Sequence, residues 1–371
     1  SSCTVHGLAG NVGSGTTDFH GGFIGSQVGT RILDSDVEES SYQILAKSYG
    51  GGFAGLSRDA EIKGTLSTIG IELIRVLQPQ SIIINSHIKN CDYNVNGEDY
   101  VGGFIGAQAN SYAINDTIAS NKPITVTATK SNAGGFTGRA TVGWTSELGT
   151  GDKANGLLEV VNKLLVDLLS SNPEKASMLL SLVGIHPSAI LGCQIQATEL
   201  AVSAGESYAG GMIGNGDGVY LGKSSPEYLN KLVFWKHSEN PQYPTEQRGV
   251  ITGLKSVSAG KNFSGGIAGF LGTASVGGLL NAAVGLGGYL GFTIDGIDVT
   301  GIASGVTVSA GENYAGGGIG EAVGGLVQNS RINNVASVTA ENRVGGFVGC
   351  AGPGDLAGTG GLELKLLGIK V

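Results

Sequence analysis

The chain is 371 residues long and 66 of them are glycine, more than twice the usual share of roughly 7 %. Eight prolines and no G-X-Y period exclude collagen, while 14 % charged and 41 % hydrophobic residues exclude a disordered chain. A net charge of −8 and the lack of any Lys/Arg run argue against a nucleic-acid or anionic-membrane partner.

The chain opens on Ser1 with no signal peptide, as a mature or excised segment would. The first copy of a short pattern stands at Phe19 to Gly25: an aromatic or polar residue, a small residue, Gly-Gly, two apolar or small residues, Gly. Its centre is Gly22-Phe23. Seven further copies centre on Gly52-Phe53, Gly103-Phe104, Gly135-Phe136, Gly211, Gly266, Gly317 and Gly346-Phe347. Three of the gaps between second glycines are 29 to 32 residues, and the other four are one such period plus an insertion. A fixed period of this size marks a solenoid or a propeller, and a propeller blade needs about 40 residues.

Ahead of the fourth box, Ile124-Thr125-Val126-Thr127-Ala128-Thr129 alternates apolar or small residues with Thr, the period of a strand. Gly-Gly between strands allows positive φ at a corner and close approach of backbones. The expectation is an all-β repeat: one domain over 1–371, a parallel, right-handed β-solenoid of about eight coils. Equivalent residues would stack about 4.8 Å apart, and the box phenylalanines would form an internal ladder.

Four insertions interrupt the repeat. The first, about 60–80, has Ile69, Leu73, Ile74 and Leu77 at helical spacing and Pro79 as a stop. The second, about 140–190, reads as a helical hairpin. Leu157, Leu158, Val161, Leu164, Leu165, Leu168 and Leu169 make an apolar stripe, Asn172-Pro173-Glu174 starts a second helix, and Gly184 ends it. The third, about 216–249, is rich in aromatics, and the fourth, about 271–293, is small and apolar. All four follow a glycine box, so one ridge along one edge is expected. The uncharged stretch from Asn262 to Ile294 contains a copy of the repeat and many glycines, which argues against a membrane span.

The box and its spacing resemble the GLUG repeat of large bacterial surface proteins, a V-G-G-L-V-G box followed by N-S-Y-A and a strand. The best match runs from Ala315-Gly316-Gly317-Gly318-Ile319-Gly320 through Asn329-Ser330 to Val344-Gly345-Gly346-Phe347-Val348-Gly349. The resemblance covers about half the chain, the insertions having no counterpart. It implies secretion, a place on the cell surface and a stalk or adhesive role, and it transfers no catalytic residue.

Chemistry-bearing motifs are sparse. His6, His20, His87, His186 and His237 are scattered, and no nucleophile elbow or phosphate loop is present. Asp34 with Asp36, Glu98 with Asp99, and Asp295 with Asp298 are the paired carboxylates that a carbohydrate-active β-helix enzyme would need, but no basic cluster is evident near them in the sequence. Asn215-Gly216-Asp217-Gly218 is the stretch a calcium ion could use, though it is not the nine-residue calcium repeat; no cofactor is expected. Cys3 and Cys350 lie seven rungs apart, about 34 Å, so no internal disulfide framework is expected.

Aromatics in the insertions are the candidate binding residues: Trp144, Tyr220, Tyr228, Trp235 and Tyr243. The sequence thus reads as a non-enzymatic structural and adhesive segment of a secreted bacterial surface protein. Its expected partners are flanking repeats, a host or bacterial surface protein, or a glycan. The alternatives are an end-to-end self-assembling extracellular filament subunit, with copies of itself as partners, and the β-helix enzyme.

Overall fold

The computed structural model describes residues 2–59, 81–141, 188–225, 246–273 and 291–352. Strands form where apolar and polar residues alternate. In Ile124–Ala128 the side chains of Ile124, Val126 and Ala128 are buried, whereas Thr125 and Thr127 face outward. Among the described residues every strand pairing is parallel and joins one coil to the next, in register along Ile44, Val95, Val126, Val202, Val257 and Val308 and with bulges in the sheet 1 strands of coils 5 to 8. The result is a right-handed parallel β-solenoid of eight coils, as the repeat predicts.

Each coil runs through four sheets. The third coil is the plainest: His87–Lys89 and Asp92–Gly97 lie in sheet 1, Asp99–Gly102 in sheet 2, Ile105–Ala109 in sheet 3 and Ser111–Ile114 in sheet 4. The core fills the bore. Phe23, Phe53, Phe104 and Phe136 stack there with centroids 4.7, 4.7 and 4.8 Å apart. Met212 and Ile267 continue the column. At Gly318 the Phe347 ring takes the room a side chain would need, 2.9 Å from where a Cβ would stand.

The box glycines serve close approach wherever another coil follows; only Gly346 of the last coil has open space beside it. A Cβ on Gly102 would overlap the carbonyl oxygen of Ile105, and one on Gly103 that of Gly135 in the next coil. None of the doubled glycines has a positive φ, contrary to the expectation that they turn the corner. The left-handed residue is two positions before the first glycine, at the residue that opens each box, an aromatic in six of the eight.

The 60–80, 142–187 and 274–290 segments leave the coil between sheets 3 and 4, and the 226–245 segment between sheets 4 and 1. The attachment points therefore lie at two neighbouring corners, not one edge. The expected third insertion also begins later than residue 216, because Ile213–Asp217 and Tyr220–Gly222 are regular coil strands. The helices expected in these segments lie outside the described residues. Among the described residues no helix is long and apolar enough to cross a membrane. All four cysteines are free.

Candidate functional site: an aromatic corner

Of the four kinds of bend that use a left-handed residue, three are turned by Gly, Asn or Asp, with Glu39 the exception. Asp34, Asn85, Asn115, Gly192, Gly296 and Asn329 serve between sheets 4 and 1. Gly29, Asn110, Gly218 and Gly324 serve between sheets 3 and 4, and Gly7, Glu39, Asn90 and Asn334 inside sheet 1. The corner into sheet 2 is different. Its column reads Phe19, Tyr49, Tyr100, Asn132, Tyr208, Phe263, Tyr314 and Arg343, with φ from 51 to 70°.

A bulky residue held left-handed costs roughly 1–2 kcal/mol. Stacking offsets part of it. Phe19 lies on Tyr49 at 4.8 Å, Tyr49 on Tyr100 at 4.9 Å, Tyr208 on Phe263 at 4.9 Å and Phe263 on Tyr314 at 5.1 Å. Each stacked pair contributes about 0.5–1.5 kcal/mol, so the four pairs offset part of the strain of the six left-handed rings. The coil itself does not require aromatics here, since Asn or Gly turns its other corners. The rings are only partly buried, and the Tyr100 and Tyr314 hydroxyls are met by Arg139 and Arg343. Phe270 packs edge-on against Tyr208 and Phe263 at 5.9 and 5.4 Å.

The ladder breaks at coil 4, where Asn132 stands in the aromatic position. Arg139 of the strand Thr137–Thr141 reaches across the break, its Cζ 5.7 Å from the Tyr100 ring centroid, its Nη1 donating to the Tyr100 hydroxyl at 3.4 Å, and its Nη2 3.7 Å from Asp217. Asn132 Nδ2 donates to Asp99 at 2.6 Å. Burial pushes both Asp99 and Asp217 above the usual carboxylate range, against the pull of Asn132 on the first and Arg139 on both. At the ladder's far end Arg343 lies 5.1 Å over Tyr314 and bonds its hydroxyl.

Of the five sequence-predicted binding residues, Tyr220 lies in a sheet 4 strand, mostly buried, its phenol pushed up by that burial. Trp144, Tyr228, Trp235 and Tyr243 lie outside the described residues. The structure does not place Tyr220 near the aromatic corner. The corner column was visible as the first position of each box, but nothing in one sequence says that this position faces solvent.

The paired carboxylates are also placed. Asp298 is gripped by Arg248 through two bonds of 2.8 and 2.9 Å and by Arg331 at 3.0 Å, and Lys223 stands 3.4 Å from Asp295. The expectation that no basic cluster adjoins them is therefore corrected: residues 50 and 33 positions away are brought together by the coil. Asp36 pairs with Lys89 at 2.7 Å, and Glu98 with Lys130 at 2.6 Å. Asn215 and Asp217 sit on a strand, with Asp217 turned to Arg139, so they do not form a calcium loop. Among the described residues no three His, Cys, Asp or Glu side chains gather to hold a metal.

Comparison with protein families finds no match, and comparison with curated proteins finds none. A solved structure of a candidate immunoglobulin A1 protease from Bacteroides ovatus is similar at 13 % identity and a TM-score of 0.35, covering 95 % of this chain and 66 % of that one. The chain thus spans under two thirds of that protein. With this comparison the non-enzymatic reading is withdrawn, since the matched structure carries an enzyme's description. That description belongs to the other protein, and a likeness of this size assigns no catalytic role to any residue here.

Proposed function

We propose that the chain is a GLUG-type repeat segment of a secreted bacterial surface protein, in which the solenoid is a rigid spacer and its aromatic corner is a contact face for a glycan or a surface protein. The observation that carries this reading is the ladder itself. Aromatic side chains hold six of the eight positions at a corner that Asn or Gly could turn, as they turn the others, and the rings stay partly exposed along the axis. Rigid aromatics with polar tips are favoured wherever a surface must be both apolar and hydrogen-bonding. Seven coil steps give a reach of about 34 Å. Arg139, Asp99, Asn132 and Asp217 add a polar notch in the middle of the row.

The test is binding of the labelled chain to an array of bacterial and host glycans and to intact cells. The comparison protein carries Asn at Tyr49, Tyr100, Tyr208 and Tyr314. Retained binding by the substituted chain would remove the aromatic corner from the account.

A further inference from the structure

The outward face of sheet 4 is unlike that of sheet 1. On sheet 1 the outward residues are polar, as in Gln43, Asn94, Thr125 and Ser203. On sheet 4 the inward column is Ile83, Ala113, Ile190 and Leu221, part of the main core. The outward positions on either side are also apolar: Ile82 and Ile84, Tyr112 and Ile114, Ala189 and Leu191, with Tyr220 packed beside them as a separate cluster. These residues are as buried as the core. Tyr112 is 1 % and Ile114 0 % exposed. Among the described residues no strand crosses this face. Toward the ends polar residues enter the outward positions, with Arg31 beside an exposed Leu33 in coil 1, Thr293 and Asp295 in coil 6, and Gln328 beside an exposed Leu326 in coil 7.

We propose that this face is the docking surface for this chain's own amphipathic segment 157–184. Three observations together choose that occupant, the first of which the 60–80 segment shares by entering sheet 4 at Ser81. The segment's chain leaves after Thr141 and returns at Ser188, one residue before Ala189 of the patch, so both its ends sit at the patch edge. The patch spans coils 2 to 5, about 14 Å along the axis at 4.8 Å per step. Residues 157–169 as a helix are about 20 Å long at 1.5 Å per residue, enough to lie along all four coils. The stripe of Leu157, Leu158, Val161, Leu164, Leu165, Leu168 and Leu169 supplies one apolar face to match another. Closing the coil does not explain so long a segment, because coil 3 passes from Ala109 to Ser111 through Asn110 alone.

Limited trypsin digestion of the full chain, read by mass spectrometry, tests this. In Ile114→Asp/Leu191→Asp, cleavage at Lys163 and Lys175 should accelerate at least about tenfold relative to the parent, because a cleavage site held in a packed segment must first be released. Cleavage at Lys255, in a sheet 1 strand, should stay slow and so report intact coils. Thr125→Asp/Thr127→Asp, on the polar outward face, should match the parent. Leu165→Asp/Leu168→Asp leaves the solenoid sequence untouched and should give the same acceleration even if the first variant fails to fold. Equal rates at Lys163 and Lys175 in the parent and Leu165→Asp/Leu168→Asp would overturn the proposal. So would acceleration at Lys63 and Arg75 instead, which would make 69–77 the cover, or a dimer of the parent that Ile114→Asp/Leu191→Asp turns into a monomer.

Discussion

Oδ1 of Asp116 accepts the backbone amide of Ser86 at 2.9 Å, at a turn where the coil before it uses a serine hydroxyl, that of Ser86, to accept the amide of Ser35 at 3.2 Å. The two serines also donate back to the carbonyls of Leu33 and Ile84. A carboxylate cannot donate. Asp116 is fully buried, and that burial pushes its pKa well above the usual value, against the pull of the Ser86 and Ile114 amides. Between the ordinary value near 3.9 and the raised one, the folded chain binds a proton that the unfolded chain releases. This contribution is full below that value and is lost as pH rises through the raised one. Asp116→Ser should restore the serine column and gain about 1–3 kcal/mol at pH 7, with the gain vanishing in acid. Urea unfolding of both proteins across pH decides it, and a less stable Asp116→Ser at pH 7 would refute it.

Asp298 should show the opposite sign. Burial raises its pKa, but the Arg248 bonds and the charges of Arg248 and Arg331 outweigh burial and hold it below the usual range. Its share of stability is present above the ordinary carboxylate pKa and is lost as pH falls. Both arginines are well exposed, so Asp298→Asn should cost no more than about 1 kcal/mol per pair and less in high salt. A pH-independent loss would contradict the pairing.

Glycine need is positional. Gly103→Ala should prevent folding of the coil, because its Cβ would overlap backbone of the next coil, while Gly346→Ala should be silent, having nothing within 4 Å. Soluble yield and circular dichroism of the two variants separate them; equal tolerance would mean the coils can part at the box.

Phe104 is fully buried between Phe53 and Phe136. Phe104→Ala should cost about 3–5 kcal/mol by denaturant unfolding. Phe347→Ala, in the half-buried last coil, should cost clearly less. Similar costs would show that the column is not a continuous core.

The repeat made the architecture legible, because a coil cannot close unless glycine recurs where backbones touch. It did not say which box residue turns the corner. Positive φ was expected at Gly-Gly, yet Tyr49, Tyr100 and Tyr208 adopt it, since stacking supports in a column what an isolated tyrosine would resist. The grip of Arg248 and Arg331 on Asp298 was equally hidden. It depends on which residues the coil stacks, and insertions of unequal length scramble that spacing in sequence.

The central claim is that the aromatic corner exists for contact and not for folding. Its most direct test is the melting temperature of Tyr49→Asn/Tyr100→Asn/Tyr208→Asn/Tyr314→Asn beside that of the parent chain. The variant relieves the strain of four left-handed rings and loses four stacked pairs, opposing contributions of similar size, so a shift under about 4 °C is predicted. A fall on the order of 10 °C or more would make the ladder a structural spine and contradict the account.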